Sequence, residues 1–320
     1  MGEKSHPNII RIIDLIEDAE NYYVVSELVK GGELFKRLTK LTSFTETQAA
    51  DIIHQIMLGL NYMHLQNITH RDIKPENILL VSDDINCFDI KIADLGFACQ
   101  IQESGLDLVL GTPLYMAPEL VRHQKYSEKV DVWSLGIITY QLLSGKTPFD
   151  GKNIKNINKN ILYKELKFPE KQWKNLSENS KKFIVRCLER DQNKRPSIAQ
   201  LFDEPWICEV QDESIDEDIQ LNIQRNLIQY EKLGQLQKIV LSLVSGLTAT
   251  QDELQTLQRE FIRMDKNKTG TLAKHDLETM THVSLKSQYD INWDKIIDEC
   301  DQKGDGVIDF QEFMSACINR

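Results

Sequence analysis

The 320-residue chain lacks the features that mark most specialised protein classes. Its six cysteines (Cys87, Cys99, Cys187, Cys208, Cys300 and Cys317) are scattered, with no C-x-x-C and no zinc-ligand spacing. That excludes a disulfide framework or a zinc module, and reduced thiols in a cytoplasmic protein are expected. No apolar run approaches the length of a membrane span, so no transmembrane segment is expected. No signal peptide opens the sequence, and His6 stands where the pattern begun by Met1-Gly2 would need Ser or Thr for myristoylation. Basic residues are in deficit, 38 Lys and Arg against 49 Asp and Glu, for a formal net charge of -11. This argues against generic binding to nucleic acid or an anionic membrane. Glycine occurs as G-x-G only at Gly304 and Gly306, so the 320 residues hold no glycine loop to cover a nucleotide's phosphates. What is present, 41% hydrophobic and 27% charged residues, is ordinary for a globular protein with two or more domains.

The chemistry concentrates in His70-Arg71-Asp72-Ile73-Lys74-Pro75-Glu76-Asn77. Asp72 is suited to orient and deprotonate a hydroxyl nucleophile, and Lys74 to hold the oxygens of a phosphoryl group in transfer. Asn77 offers a neutral oxygen of the kind a hard Mg²⁺ ion accepts. Phe88, Ile90 and Ile92 alternate like a half-buried strand and lead to Asp94-Leu95-Gly96, where Asp94 would be the charged metal ligand. Asp-Leu-Gly alone reads as a turn; followed by Ala117-Pro118-Glu119 it gains meaning from order.

Upstream, Ile9–Glu17 and Tyr22–Leu28 flank a turn at Asp18–Asn21 and read as a β-hairpin. Thr45 and Gln48 form a capping box ahead of a helix over Ala49–His64. The helix opened by Asp131 is apolar nearly all round (Trp133, Ile137, Ile138, Tyr140, Leu142 and Leu143), which places it in a core capped by Gly145. Residues 208–220 are acidic and read as a solvated linker. Residues 221–247 read as one amphipathic helix with Leu233, Leu236, Val240, Leu243 and Leu247 on one face.

Two further segments follow the twelve-residue EF-hand calcium loop. The first runs from Asp265 to Asp276 with Asn267, Thr269 and the Thr271 carbonyl between; the second runs from Asp301 to Glu312 with Asp305, the Val307 carbonyl and Asp309 between. Each has glycine at position six (Gly270, Gly306) and an aliphatic residue at position eight (Leu272, Ile308), which lets the loops pair as short strands. Thr250 and Glu253 cap the first entering helix, and Leu254, Leu257, Phe261, Phe310 and Phe313 point toward a core. Both loops are flawed. The first closes on Asp276, shorter than the usual Glu, and the second carries Lys303 at position three. With four carboxylates against two, and a lysine stem long enough to reach solvent, the second loop is expected to bind calcium more tightly. Folded but empty hands are the bland alternative.

The ordered set of catalytic stretch, Asp-Leu-Gly and Ala-Pro-Glu resembles the catalytic loop, metal loop and activation-segment end of protein kinases. With the amphipathic segment and two calcium loops behind it, the chain resembles the calcium-dependent protein kinases of plants and protists. The resemblance implies an α+β bilobal kinase-like fold with a mostly helical large lobe and a small lobe reduced to a β-hairpin, then an all-α EF-hand pair. The implied boundaries are 1–28 for the small-lobe remnant and hinge, 29–207 for the large lobe, 208–220 for the linker, 221–247 for a junction helix and 248–320 for the EF-hands. ATP, Mg²⁺ and Ca²⁺ are the implied cofactors. Catalytic roles fall on Asp72, Lys74, Asn77, Asp94 and Thr112, whose hydroxyl would pin Asp72 and Lys74. ATP contacts are expected from Glu27, Val29, Glu33 and the gatekeeper Ser26, whose small size should leave room for bulky inhibitors. Asp131 would tether the catalytic loop and Arg195 would pair with Glu119. Lys74 and Gly111-Thr112-Pro113 suit the Ser/Thr class, with protein substrates whose basic residues meet Glu33 and Glu76. An intramolecular contact of the junction helix with the kinase lobe would make activity calcium-dependent. Two departures from the family stand out: two EF-hands where four are usual, and no glycine loop or strand-three lysine, so a fragment of a larger enzyme is expected. A non-catalytic calcium-binding protein on a kinase scaffold is the alternative.

Overall fold

A run without a polar face must be covered on all sides, and α4 (Lys129–Ser144) is: Val130 to Leu143 are all buried. The computed structural model describes residues 5–101, 105–208, 217–248, 250–281, 285, 289 and 291–318. It divides into two compact units, Leu28–Asp212 and a second that joins Met1–Glu27 to Glu213–Arg320.

In the Leu28–Asp212 unit, α1 (Leu34–Leu41) is followed by α2 (Glu46–Leu65), which starts on the expected reciprocal capping box of Thr45 and Gln48. Trp133 of α4 stacks on Phe149, with ring centroids 5.7 Å apart, and Gly145 closes the helix at φ +69°. Gly136 lets the helix at 178–187 approach, since a Cβ there would meet the Cys187 Cβ at 2.6 Å. The strands are short: β3 (Ile68–Thr69) pairs with β6 (Cys99–Gln100), and β4 (Ile78–Leu80) with β5 (Ile90–Ile92), both antiparallel. Lys91 is buried with its neighbours, so β5 is covered on both faces rather than half-buried as its alternation implies.

The other unit contains the expected hairpin, trimmed to Ile12–Glu17 and Tyr22–Ser26, with a bulge between Ile12 and Asp14. Asp18 turns the chain by accepting from the Glu20 and Asn21 amides, each at 2.8 Å. Ile13, Leu15, Ile16 and Tyr22 to Val25 are exposed. These residues group with the carboxy-terminal unit, whereas the sequence places them with a kinase small lobe. Ser5 and Arg11 reach its last helix: the Gln311 amide donates to Ser5 Oγ at 2.9 Å, and Arg11 Nη1 to Gln311 Oε1 at 2.7 Å.

The single amphipathic helix over 221–247 is instead two, Glu217–Glu231 and Gln235–Thr248, and the first begins inside the segment read as a linker. Gly234, a poor helix former, lies in the break. The buried stripe is Ile223, Leu227 and Tyr230, while Leu236 is 75% exposed and Val240 49%. Leu233 is partly buried against the core, and the side chains of Leu243 and Leu247 lie outside the described residues. Beyond it, the Thr250–Glu253 capping box forms. Phe261 meets Phe310 and Phe313 at centroid distances of 5.3 and 5.2 Å. Leu272 and Ile308 pair across the two loops as their positions require.

Candidate functional site

The catalytic stretch sits where β3 ends against the amino-terminal turn of α4, and one buried carboxylate fixes it. Asp131 accepts from the backbone amides of His70 and Arg71, the Thr69 hydroxyl and His64 Nε2, all at 2.9 Å. Burial pushes its carboxyl up, but the His64 and His70 contacts outweigh that and hold its pKa below the ordinary carboxylate value. Arg71 is thereby held at φ +71°, its Nε donating to the Phe97 carbonyl at 2.6 Å and its Nη1 to the Tyr126 hydroxyl at 3.2 Å. His70 is fully buried: Nε2 faces the Ala93 carbonyl at 3.1 Å, and Nδ1 accepts from the Asp72 amide at 3.3 Å. Burial lowers its pKa, and these two partners suit a neutral ring protonated at Nε2.

The expected catalytic side chains converge on Asp72, which is 4% exposed. Lys74 Nζ donates to Asp72 Oδ2 at 2.5 Å and to Thr112 Oγ1 at 3.0 Å. Thr112 donates its amide and its hydroxyl to Asp72 Oδ1, at 3.0 and 2.8 Å. Burial pushes the Asp72 carboxyl up; the Lys74 and Thr112 hydrogen bonds and the lysine charge pull harder, so its pKa lies below the usual value and the group stays ionised. Thr112 reaches this place because Gly111, at φ +112°, lies where a Cβ would meet the Arg71 carbonyl at 2.8 Å. Asn77 Nδ2 is committed to the Asp72 carbonyl at 2.9 Å and to Oδ2 at 3.1 Å, so its oxygen is the atom left for a cation. Asp94 is exposed at φ +59°, with Oδ1 accepting the Gly96 amide at 3.3 Å. A neutral amide oxygen and an exposed carboxylate are the hard donors Mg²⁺ takes, so the residues fit that ion.

Behind the site, Arg195 pairs with Glu119 through two bonds of 2.7 and 3.0 Å, and its guanidinium lies over Trp133 at 5.2 Å. The other expected residues are placed less decisively. Glu33 accepts from Lys36 at 2.7 Å, which compensates its charge. Glu76, by contrast, has a buried Oε2 with no hydrogen-bond partner among the described residues. Of the residues expected to contact adenine, Ser26 ends the hairpin and the Glu27 carboxylate accepts the Arg11 amide at 2.8 Å, while Val29 falls in the other unit, so these residues are divided between the two.

In the first calcium loop, Asp265 accepts from the Thr269 and Gly270 amides at 3.0 and 2.6 Å, and Asp276 Oδ2 from the Ala273 amide at 2.9 Å. Burial raises the Asp265 pKa, and the nearby Asp276 charge adds to it, against the lowering effect of the amides. In the second, Asp301 gathers the Lys303, Gly304 and Gly306 amides at 3.1, 2.8 and 2.6 Å. Lys303 does not swing into solvent as its length suggests: it pairs with Asp309 and is 27% exposed. Among the described residues no group of three or more His, Cys, Asp or Glu side chains is gathered as around a metal. Nothing in the sequence marked His64 as a partner for Asp131, or Ser5 as one for the last hand; both pairings are set by tertiary contact.

Residues 1–207 match the family described as protein kinase domain. The chain belongs to the protein kinase family. Residues 254–318 match the EF-hand domain pair. Calcium-dependent protein kinase 3 of Plasmodium berghei is 34% identical over 324 residues, covering 100% of this chain and 58% of that protein. Calcium-dependent protein kinase 5 of Plasmodium falciparum is also 34% identical, over 100% of this chain and 56% of the relative. Calcium-dependent protein kinase 19 of Arabidopsis thaliana is 32% identical over 98% of the chain and 57% of the relative. The chain thus spans less than two thirds of the length of these curated relatives. No helix among the described residues is long and apolar enough to cross a membrane.

Proposed function

We propose that this chain carries the phosphoryl-transfer machinery and calcium sensor of a calcium-regulated Ser/Thr protein kinase acting in the cytoplasm. The observation that carries the reading is the convergence of Lys74, Thr112 and Asn77 on the buried, ionised Asp72. Asp72 orients the substrate hydroxyl, whose oxygen attacks the γ-phosphorus of ATP as the bond to ADP breaks; the proton passes to Asp72. Because the carboxylate is a weak base, that transfer belongs late in the reaction. Lys74 moves from Asp72 toward the transferring oxygens, and Thr112 keeps Asp72 in place. Asn77 and Asp94 would hold Mg²⁺, which supplies charge neutralisation at the phosphates. Ser26, Glu27, Val29 and Glu33 are the proposed ATP contacts, and calcium acting on the EF-hand pair would control access through the 217–248 helices.

The test uses the 320-residue polypeptide and a chimera that places a relative's glycine loop and strand-three lysine in frame ahead of His6. The polypeptide alone should turn over ATP weakly or not at all. The chimera should phosphorylate Ser/Thr peptides and not Tyr peptides, and a calcium chelator should suppress it. Tyr phosphorylation, or activity indifferent to chelation, would reject the reading. The non-catalytic alternative predicts no transfer from either protein.

Glu76 supplies a second expected outcome. A carboxylate with a buried, unpartnered oxygen gains most from an incoming guanidinium. Glu76→Ala in the chimera should reduce the preference for peptides with Arg before the target hydroxyl by about 10-fold, on the 1.5–3 kcal/mol scale of such bonds. Glu33→Ala should matter less, since Lys36 already neutralises it. An unchanged peptide-library profile in Glu76→Ala would show that the oxygen is not a substrate contact.

A further inference from the structure

The two calcium loops solve the same electrostatic problem in different ways. Each folds around a turn of backbone amides held by its first aspartate, and each then brings buried carboxylates together at its end. Burying such groups without a compensating cation or a full set of donors is costly.

In the second loop the compensation is internal. Asp309 is 2% exposed, and both its oxygens are taken: Oδ1 by the Glu312 amide at 3.0 Å, Oδ2 by the Lys303 ammonium and the Ser5 amide, the latter at 3.3 Å. Glu312 is engaged as well, with Oε1 accepting the Gln302 amide and Oε2 the Asp309 amide, each at 2.9 Å. A positive charge already stands beside the carboxylate that position nine offers to a metal.

The first loop is arranged differently: its Lys274 pairs with Asp294, at 2.5 Å, and not with either buried acid of the loop. Asp276 is 1% exposed, and its Oδ1 is buried without a hydrogen-bond partner among those residues. The acid at position twelve thus presents an open oxygen in a site that also holds the buried Asp265.

We propose that Lys303 closes the second loop as a built-in cation, and that the calcium site of this pair is the first loop, Asp265–Asp276. This reverses the order expected from counting carboxylates. Four acids exceed two on paper, but one of the four is bound to a tethered ammonium that competes with calcium at the high effective concentration of a short linker. Calcium in the second loop would have to displace Lys303 and the Ser5 amide from Asp309 Oδ2 before gaining that ligand. In the first loop Asp276 Oδ1 has no hydrogen bond to a described residue that calcium would have to break. The pair can then keep two folded hands while responding through one.

The inference rests on the calcium reading above, and binding stoichiometry tests it separately from kinase activity. Titration calorimetry with Ca²⁺ on the 320-residue chain should show one binding event. Asp276→Asn, which keeps the shape and removes the charge, should weaken it by about 100-fold. Glu312→Gln should leave it essentially unchanged. Two gains guard against misfolded variants: Asp276→Glu should tighten the event by about 10-fold by restoring the longer position-twelve acid, and Lys303→Met should add a second event that Glu312→Gln then removes. Two events in the wild type, loss through Glu312→Gln, or no added event in Lys303→Met would overturn the assignment. No event in any of the proteins would reject calcium binding by the pair altogether.

Discussion

Asp72→Asn in the chimera is expected to lower kcat by about 10²–10⁴-fold while leaving the peptide KM nearly unchanged, the pattern for a group that acts only as the proton leaves. The geometry makes the effect larger than loss of a base alone. Asp72 Oδ2 holds Lys74 and Asn77, while Oδ1 holds both donors of Thr112. An amide supplies one acceptor where the carboxylate supplies two, so either Lys74 or Thr112 loses its anchor. Thr112→Ala provides the contrast. It removes one donor from Asp72 and one acceptor from Lys74 but keeps the base, so it should cost far less than Asp72→Asn. Steady-state rates on one peptide for the three proteins decide the matter. Equal losses in both variants would mean that Thr112 and Asp72 act only as a structural unit, and an unimpaired Asp72→Asn would remove Asp72 from the chemistry.

The catalytic half was legible because its residues are fixed by chemistry at short range. Asp72, Lys74 and Asn77 lie within six residues of one another, whereas Thr112 was placed with them only by the family resemblance and reaches them through Gly111. The capping boxes at Thr45 and Thr250 and the all-apolar α4 were equally local, and all three formed. The helix over 221–247 was not legible. An apolar repeat through Leu233, Leu236 and Val240 outweighed the weak break at Gly234, and Ile223, Leu227 and Tyr230 showed the same spacing without revealing which stripe a core would cover. β5 failed for a related reason: alternation reports one covered face only when the other meets solvent, and here Lys91 is buried too. Lys303 is the most instructive case. Its side-chain length permits a course into solvent or back onto Asp309, and sequence carries no information on which is taken. The ion pair with a 3% exposed carboxylate is the choice that leaves less charge uncompensated.

Arg195→Met is expected to destabilise the Leu28–Asp212 unit by about 3–5 kcal/mol, the cost of stranding one partner of a buried ion pair. Arg195 has a wholly buried side chain that holds both oxygens of Glu119, itself 2% exposed, and also donates to the Glu189 and Lys129 carbonyls at 2.8 Å each. Methionine fills much of the volume beside Trp133 but leaves a carboxylate and two carbonyls without their donor. The double variant Glu119→Leu with Arg195→Met should recover part of the loss, because it removes the stranded charge; recovery should stay incomplete, because the two carbonyls remain unpaired. Three of the four tryptophans, Trp133, Trp173 and Trp206, are buried in this unit, and replacing Trp293 of the other unit by Phe in every protein compared leaves fluorescence to report its unfolding in urea. With a slope of about 1–3 kcal/mol per molar urea, the midpoint of that transition should fall by at least about 1 M in Arg195→Met and by less in the double variant. A single variant within about 1 kcal/mol of wild type would place the pair among ion pairs of no consequence for stability, the behaviour of exposed ones. A double variant less stable than the single would show that Glu119 contributes through contacts other than Arg195.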